Sequence, residues 1–251
     1  MKIALVSDVH TEHYPSDMGR KILQKISKTK ADALVVAGDL STMQYIKYAF
    51  SILCDNFENV IFVSGNHEYY NSSIKQTNDI LEECSDKHKN LHWLNNSSVN
   101  INGKTFIGGT LWYPKLKDGE EHFFKRFNKF NGNIEWLWSD FEVIKNFEYW
   151  YFEEHNKCKD FLFKNLKDGD IVVSHMLPTF NCVHERWKSS LTNCFFNARC
   201  DDILENITPS YWLFGHTHHR MNIKENGCVC LSNPVGYPNE TGGYIETIIE
   251  V

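Results

Sequence analysis

The sequence predicts an α/β fold in which two mixed β-sheets pack face to face and are flanked by helices, a four-layer sandwich. Three observations carry that expectation. Short apolar runs alternate with segments of helical length over the first third of the chain, each apolar run ends in polar residues, and the last third turns to closely spaced strands with a hairpin. With 251 residues, 42% hydrophobic and 14% aromatic, the chain can bury a substantial core and lies outside the disordered and membrane-like composition classes. A single domain spanning 1–251 is the economical expectation for this length.

The first strand is Lys2-Ile-Ala-Leu-Val-Ser, ending in Asp8. The second is Ala33-Leu-Val-Val-Ala, ending in Gly38-Asp39, and the third is Val60-Ile-Phe-Val-Ser, ending in Gly65-Asn66-His67. Each is too short for a helix and apolar on both faces, as strands covered on both sides are. Helices at 19–29 and 43–56 between them give parallel β-α-β-α-β order. A helix at 73–87 follows, then short strands near 91–94, 98–101 and 104–110. The stretch 112–152, with Trp112, Trp136, Trp138 and Trp150, reads as helices and loops over one end of the sheet, its tryptophans mainly packing and one or two free to stack a base. It leads into a helix at 149–166 closed by Asp168-Gly169. Ile171-Val-Val-Ser is a strand that delivers His175. Segment 177–200 has no period and, with 112–152, is expected to shape the entrance to a site. Tyr211-Trp-Leu-Phe is a strand, Met221–Lys224 and Cys228–Ser232 form a hairpin around Asn226-Gly227, and a last strand lies near 244–250.

Charge and targeting signals narrow the function. A net charge of -6 with five arginines argues against a broad electropositive face for duplex nucleic acid but leaves room for a local pocket that takes one phosphate. The amino-terminal apolar run stops at Val6 and no later stretch approaches a membrane span, so the expected compartment is the cytoplasm, with no membrane partner. Eight cysteines fit no compact disulfide framework, and reduced thiols are expected. Cys182, His184, Cys194 and Cys200 lack the close Cys-x-x-Cys pair of zinc sites.

Five short blocks end strands or open the turns after them: Asp8-Val-His10, Gly38-Asp39, Gly65-Asn66-His67-Glu68, Ser174-His175 and Gly215-His216-Thr-His218. In an extended chain Asp8 and His10 project to one side, as do His216 and His218. His219 then points away, toward solvent or the neighbouring layer, and so does His13, with the rim of a substrate mouth as the alternative for both. The glycines before Asp39, Asn66 and His216 suit sharp turns and close backbone approach. Taken singly, Asp8 or Asp39 reads as a turn carboxylate or helix cap, and His175 as a hydrogen-bonded core residue. Together the blocks supply two carboxylates, one amide oxygen and four imidazoles, more than one tetrahedral zinc takes and suited to two ions that share a carboxylate. Mixed oxygen and imidazole donors disfavour calcium and magnesium and point to manganese first, with iron, zinc or nickel as alternatives.

This ordered set resembles the calcineurin-like metallophosphoesterase superfamily, whose signature runs Asp-x-His, Gly-Asp, Gly-Asn-His-[Glu/Asp], a lone His and Gly-His-x-His. The blocks occur here in that order over residues 8 to 218. The resemblance implies that Asp8, His10 and His218 hold one metal and Asn66, His175 and His216 the other, with Asp39 bridging and His67 left free as the catalytic acid. It implies phosphoester hydrolysis by a hydroxide shared between the metals. After Gly38-Asp39 the chain reads Leu-Ser-Thr-Met, without the Arg of the protein serine/threonine phosphatases. Gly109-Thr-Leu-Trp112 and Ser232-Asn-Pro-Val-Gly-Tyr-Pro238 resemble small bacterial and phage metallophosphoesterases, whose members often carry Arg where this chain has Val235; no substrate contact is assigned to that position. A small phosphomonoester or nucleotide is the expected substrate. A phosphodiesterase acting on cyclic nucleotides or single-stranded nucleic acid is the alternative, nucleic acid being the less favoured partner, and a non-catalytic interaction module on the same fold stands behind both because the ligand set and His67 are intact.

Overall fold

The computed structural model describes residues 1–127 and 134–251. Along the chain come β1 (Lys2–Val6), α1 (Ser16–Ile26), β2 (Ala33–Ala37), α2 (Met43–Cys54), β3 (Val60–Val63), α3 (Ile74–Lys87), β4 (Leu91–Trp93), β5 (Ser97–Ile101) and β6 (Lys104–Gly109). They are followed by α4 (Asp118–Phe124), β7 (Lys125–Phe127), β8 (Ile134–Trp136), α5 (Ser139–Val143), α6 (Phe147–Asn165) and β9 (Ile171–Ser174). The last elements are α7 (Asp201–Asn206), β10 (Tyr211–Phe214), β11 (Met221–Glu225), β12 (Cys228–Ser232) and β13 (Ile248–Glu250).

Two large sheets form, and both are mixed. The first has the order β13-β1-β2-β3-β4, with β1 to β4 parallel and β13 antiparallel on β1. The second has the order β11-β12-β10-β9-β6-β5, parallel in its four central strands and antiparallel at both edges. Alternation along β1 explains why its strand is apolar throughout. Ile3 and Leu5 face the second sheet, meeting Phe106, Ile171, Val173 and Leu213. Ala4 and Val6 face outward to Leu23 and Ile26 of α1 and Ile46, Phe50 and Leu53 of α2. On the far side, Ile107, Val172, Trp212 and Phe214 pack with Tyr151, Cys158 and Leu162 of α6 and with Trp112, Tyr113 and Phe147. Helix, sheet, sheet and helix therefore stack as the sequence predicts, and apolar burial on both strand faces is the force that stacks them.

The differences are local. The first helix spans 16–26 rather than 19–29, because Pro15 stands at its cap with φ preset for entry. Past its end, Thr29 is held in the turn to β2 by a 2.6 Å hydrogen bond to the Tyr244 hydroxyl. The Tyr244 and Ile245 carbonyls accept from the Lys25 and Asn233 side chains, and the last strand begins at Ile248 rather than near 244. Segment 112–152 contains a small hairpin, β7 paired with β8, besides helices and loops; three-residue strands carry no readable period. Residues 128–133 of that segment lie outside the described residues. Helix α7, six residues long, was likewise too short for periodicity to announce. All eight cysteines are free and buried, and Cys182 groups with Glu225 and Cys230. Among the described residues no helix is long and apolar enough to cross a membrane.

Candidate metal centre

All eight residues singled out in the sequence lie in turns at the carboxyl ends of parallel strands. Asp8 and His10 follow β1, Asp39 follows β2, and Asn66 and His67 follow β3; His175 follows β9, and His216 and His218 follow β10. Three turns belong to one sheet and two to the other, so the packing of the sheets closes the ring. The turns are not extended. Asp8, His10, Asp39, His216 and His218 have φ of 50°, 48°, 54°, 64° and 49°, a left-handed conformation that costs on the order of 1 kcal/mol or more per non-glycine residue and collects at functional sites. Left-handed turns, rather than strand alternation, therefore direct the paired side chains. Gly38 (φ +82°) and Gly65 leave the space that the blocks require: a Cβ on Gly38 would lie 2.3 Å from His175 Nδ1, and one on Gly65 2.2 Å from Asp39 Oδ1.

The donors converge. Asp39 Oδ2 lies 3.6 Å from His10 Nε2 and 3.3 Å from His175 Nε2. Asn66 Oδ1 is 3.1 Å from His175 Nε2, and Asp8 Oδ1 is 3.5 Å from His218 Nε2. Ligand atoms of Asp8, His10 and His218 lie within 4.8 Å of one another, as do those of Asp39, His175 and His216.

Each imidazole is tied at its outer nitrogen. His175 Nδ1 donates to the Ala37 carbonyl at 2.9 Å and His216 Nε2 to the Phe195 carbonyl at 3.2 Å. His218 Nδ1 donates to Glu240 at 2.7 Å, and His10 Nδ1 faces Glu12 at 3.4 Å. Acceptors at these positions fix the N–H there and leave a lone pair on the inner nitrogen, the arrangement found in metal-ligating histidines. His10 Nε2 and His218 Nε2 consequently face each other at 3.0 Å. Two lone pairs at that distance repel unless a cation or a proton lies beside them. The donor set, its outer hydrogen bonds and this facing pair fit two divalent cations.

His67 stands beside the cluster. Its Nδ1 donates to Glu12 Oε1 at 2.9 Å, its Nε2 lies 3.2 Å from the Tyr237 hydroxyl, and its ring stacks on Tyr70 at 4.1 Å. Burial works against charge on this ring, but the Asp39 and Glu12 carboxylates outweigh it and raise the imidazole to about 8. Burial likewise opposes charge on Asp39, and the surrounding His175 and His67 hold its carboxyl well below the usual range. A bound cation would take over the role of those protons.

Several supporting residues were not legible in advance. Asp140 accepts from Asn66 Nδ2, the Tyr70 hydroxyl and Trp138 Nε1, each at 3.0 Å, which turns the Asn66 oxygen toward His175. Tyr237 and Glu240 reach His67 and His218 because backbone bonds from Val235 and Gly236 to the Ser7 and Asp8 carbonyls dock that segment on the end of β1. Val235 itself is fully buried among core side chains, so it is Tyr237 that enters the site. Glu12, to which the sequence assigned no role, spans His10 and His67.

A cleft of about 350 Å³ opens over Asp39, Asn66 and His216, with Trp138, Trp187 and Phe196 among its walls. His219 lines this cleft, the alternative of the two expected placements, stacked on His184 at 4.2 Å, and His218 before it has a left-handed rather than an extended backbone.

Comparison with known proteins gives the family and the fold. Residues 1–220 match the family described as calcineurin-like phosphoesterase. An uncharacterized protein of Acanthamoeba polyphaga mimivirus is 26% identical over 270 residues, covering 95% of this chain and 92% of its own. Phosphopantetheinyl hydrolase from Mycobacterium tuberculosis shares the fold with a TM-score of 0.73 at 16% identity, over 95% of this chain and 90% of that one. The Thermus thermophilus protein TT1561 gives 0.55 at 13% identity, over 93% and 88%.

Proposed function

The chain belongs to the calcineurin-like phosphoesterase family, and on that premise we propose that it is a dinuclear metal-dependent hydrolase of phosphoester bonds acting on a small substrate. The observation that supports this most is the convergence of seven donors, with the outer nitrogen of each of the four imidazoles against a hydrogen-bond acceptor. In this reading Asp8, His10 and His218 hold one divalent ion, Asn66, His175 and His216 hold the other, and Asp39 is shared. Manganese is the first choice for this oxygen and nitrogen set, ahead of iron, zinc and nickel. Such ions supply Lewis-acid charge at the phosphoryl group and acidify water.

The chain's own residues supply orientation and a proton. Glu12 holds His67 through Nδ1, and its carboxylate stabilises the imidazolium. His67 Nε2, turned toward Tyr237, donates to the departing oxygen, a step worth roughly 10²–10⁴-fold. Asp140 keeps the Asn66 amide oriented. The cleft is at the small end of ligand sites, and no Lys or Arg appears among the described residues that line it. That favours a substrate with one phosphate group, either a phosphomonoester or nucleotide, and as a second reading a singly charged phosphodiester.

Asp39→Asn tests the proposal directly. With manganese, and p-nitrophenyl phosphate and bis-p-nitrophenyl phosphate as probes, the variant is expected to keep its circular dichroism spectrum, lose bound metal and lose turnover on both esters. Unchanged turnover would overturn the mechanism.

A further inference from the structure

The cleft contains an aromatic wall that the metal chemistry does not use. His184 and His219 stack at 4.2 Å with 28° between their planes, and Trp187 meets His219 edge-on at 6.5 Å. Phe196 lies beside them, 4.4 Å from the His216 ring and 5.7 Å from Trp138. Trp187 is 44% exposed, whereas Trp212 and Trp112 are 0% and 2% exposed, so this ring is not serving the core.

The two stacked histidines also carry defined hydrogen-bonding edges. His184 Nδ1 accepts from the Arg186 backbone N–H at 3.3 Å, which places the ring proton of the neutral form on Nε2. His219 Nδ1 donates to the Thr217 carbonyl at 2.8 Å, which leaves a lone pair on its Nε2. The neutral stacked rings thus carry one donor, His184 Nε2, and one acceptor, His219 Nε2. A planar heteroaromatic ring, with a π-face and adjacent donors and acceptors, is complementary to both properties.

We infer that His184, Trp187, His219 and Phe196 form a nucleobase subsite, and that the substrate is a mononucleotide ester whose phosphate lies over Asp39. This rests on the phosphoesterase reading above and deepens it by naming the organic group. A single nucleotide is favoured over a polynucleotide because a strand needs cationic side chains along its path, and apart from Arg186, whose guanidinium lies 4.8 Å over the Trp187 ring, the described residues at the cleft offer no Lys or Arg among its lining. Base stacking on one aromatic ring changes affinity by about 10-fold or more.

Two measurements test the subsite separately from the chemistry. In metal-free protein, binding of adenosine and of ribose is followed by tryptophan fluorescence and calorimetry. Adenosine should bind at least about 10-fold tighter, and Trp187→Ala, at a half-exposed position, should remove most of that difference. Equal binding of the two, or an unchanged ratio in the variant, overturns the subsite. With manganese, kcat/KM for thymidine 5′-p-nitrophenyl phosphate should exceed that for methyl p-nitrophenyl phosphate, and Trp187→Ala should bring the ratio toward one. A ratio near one in the unsubstituted protein overturns the subsite while the phosphoesterase reading stands. If neither diester turns over, the phosphodiester reading falls, and the ratio is read instead on the monoesters adenosine 5′-monophosphate and ribose 5-phosphate, where a ratio near one overturns the subsite. The adenosine binding measurement decides the subsite in either case.

Discussion

His67 is fixed on several sides: Glu12 at Nδ1, Tyr237 at Nε2, Tyr70 against one face and His10 edge-on at 4.3 Å. A ring held this way is pre-organised, and little is lost in ordering it during reaction. His67→Gln should keep the metal content, because His67 is not assigned as a ligand, and lower kcat by roughly 10²–10⁴-fold with the leaving group that needs most protonation. Metal analysis beside steady-state kinetics on a poor and a good leaving group checks this; an equal loss on both would remove the proton-donor role. At this scale the ligands were legible because each lies in a compact block with its own glycine or neighbouring donor, except His175, which only its place in the ordered set marked. Asp140 was not. It lies 74 residues from the Asn66 amide that it orients, in an aromatic stretch where one Asp has no local signature.

The turns after β2 and β3 are tied together by one side chain. Glu68, fully buried, accepts four backbone N–H groups: Gly65 at 2.6 Å, Leu40 at 2.8 Å, and Asp39 and Ser41 at 3.1 Å. Burial and the Asp39 charge push its carboxyl up, and the amides oppose that shift. The last residue of the Gly-Asn-His-Glu block thus holds the backbone that presents Asp39. Glu68→Ala would strand up to four buried donors at about 1–3 kcal/mol each, so a loss of more than about 3 kcal/mol in urea unfolding is expected, with metal affinity falling in parallel. A change below about 1 kcal/mol would show that these turns hold themselves. Element positions were mostly readable because apolar runs and their polar ends mark strands. The boundaries that moved, at α1 and the last strand, go with Pro15 at the helix cap and with the side chains of Lys25 and Asn233 that take the Tyr244 and Ile245 carbonyls.

Across the whole molecule, α6 is anchored over the second sheet partly by His155, which is 3% exposed and donates Nδ1–H to the Trp112 carbonyl. Burial lowers this imidazole from 6.5 to about 4, although the Trp112 bond opposes the shift. Between those values the unfolded chain binds the proton and the folded chain does not, so stability rises with pH there. The contribution is complete above about pH 6.5 and is lost as pH falls toward 4, amounting to about 2 kcal/mol between pH 7 and pH 5. Denaturant unfolding at those two pH values should show the drop in the unsubstituted protein and a smaller one in His155→Gln; equal drops would exclude His155 as the group. The sequence by itself determined the parallel β-α-β-α-β start of the first sheet and the positions of the donors along the chain, because hydrophobic periodicity and short turn blocks are local properties. Tertiary structure alone decided which distant groups complete them. Docking of residues 235–240 on β1 brought Tyr237 and Glu240 to the histidines, left-handed turns aimed the paired ligands, and His219 came to line the cleft. None of these follows from local sequence, because each depends on two segments meeting only after the sheets have packed.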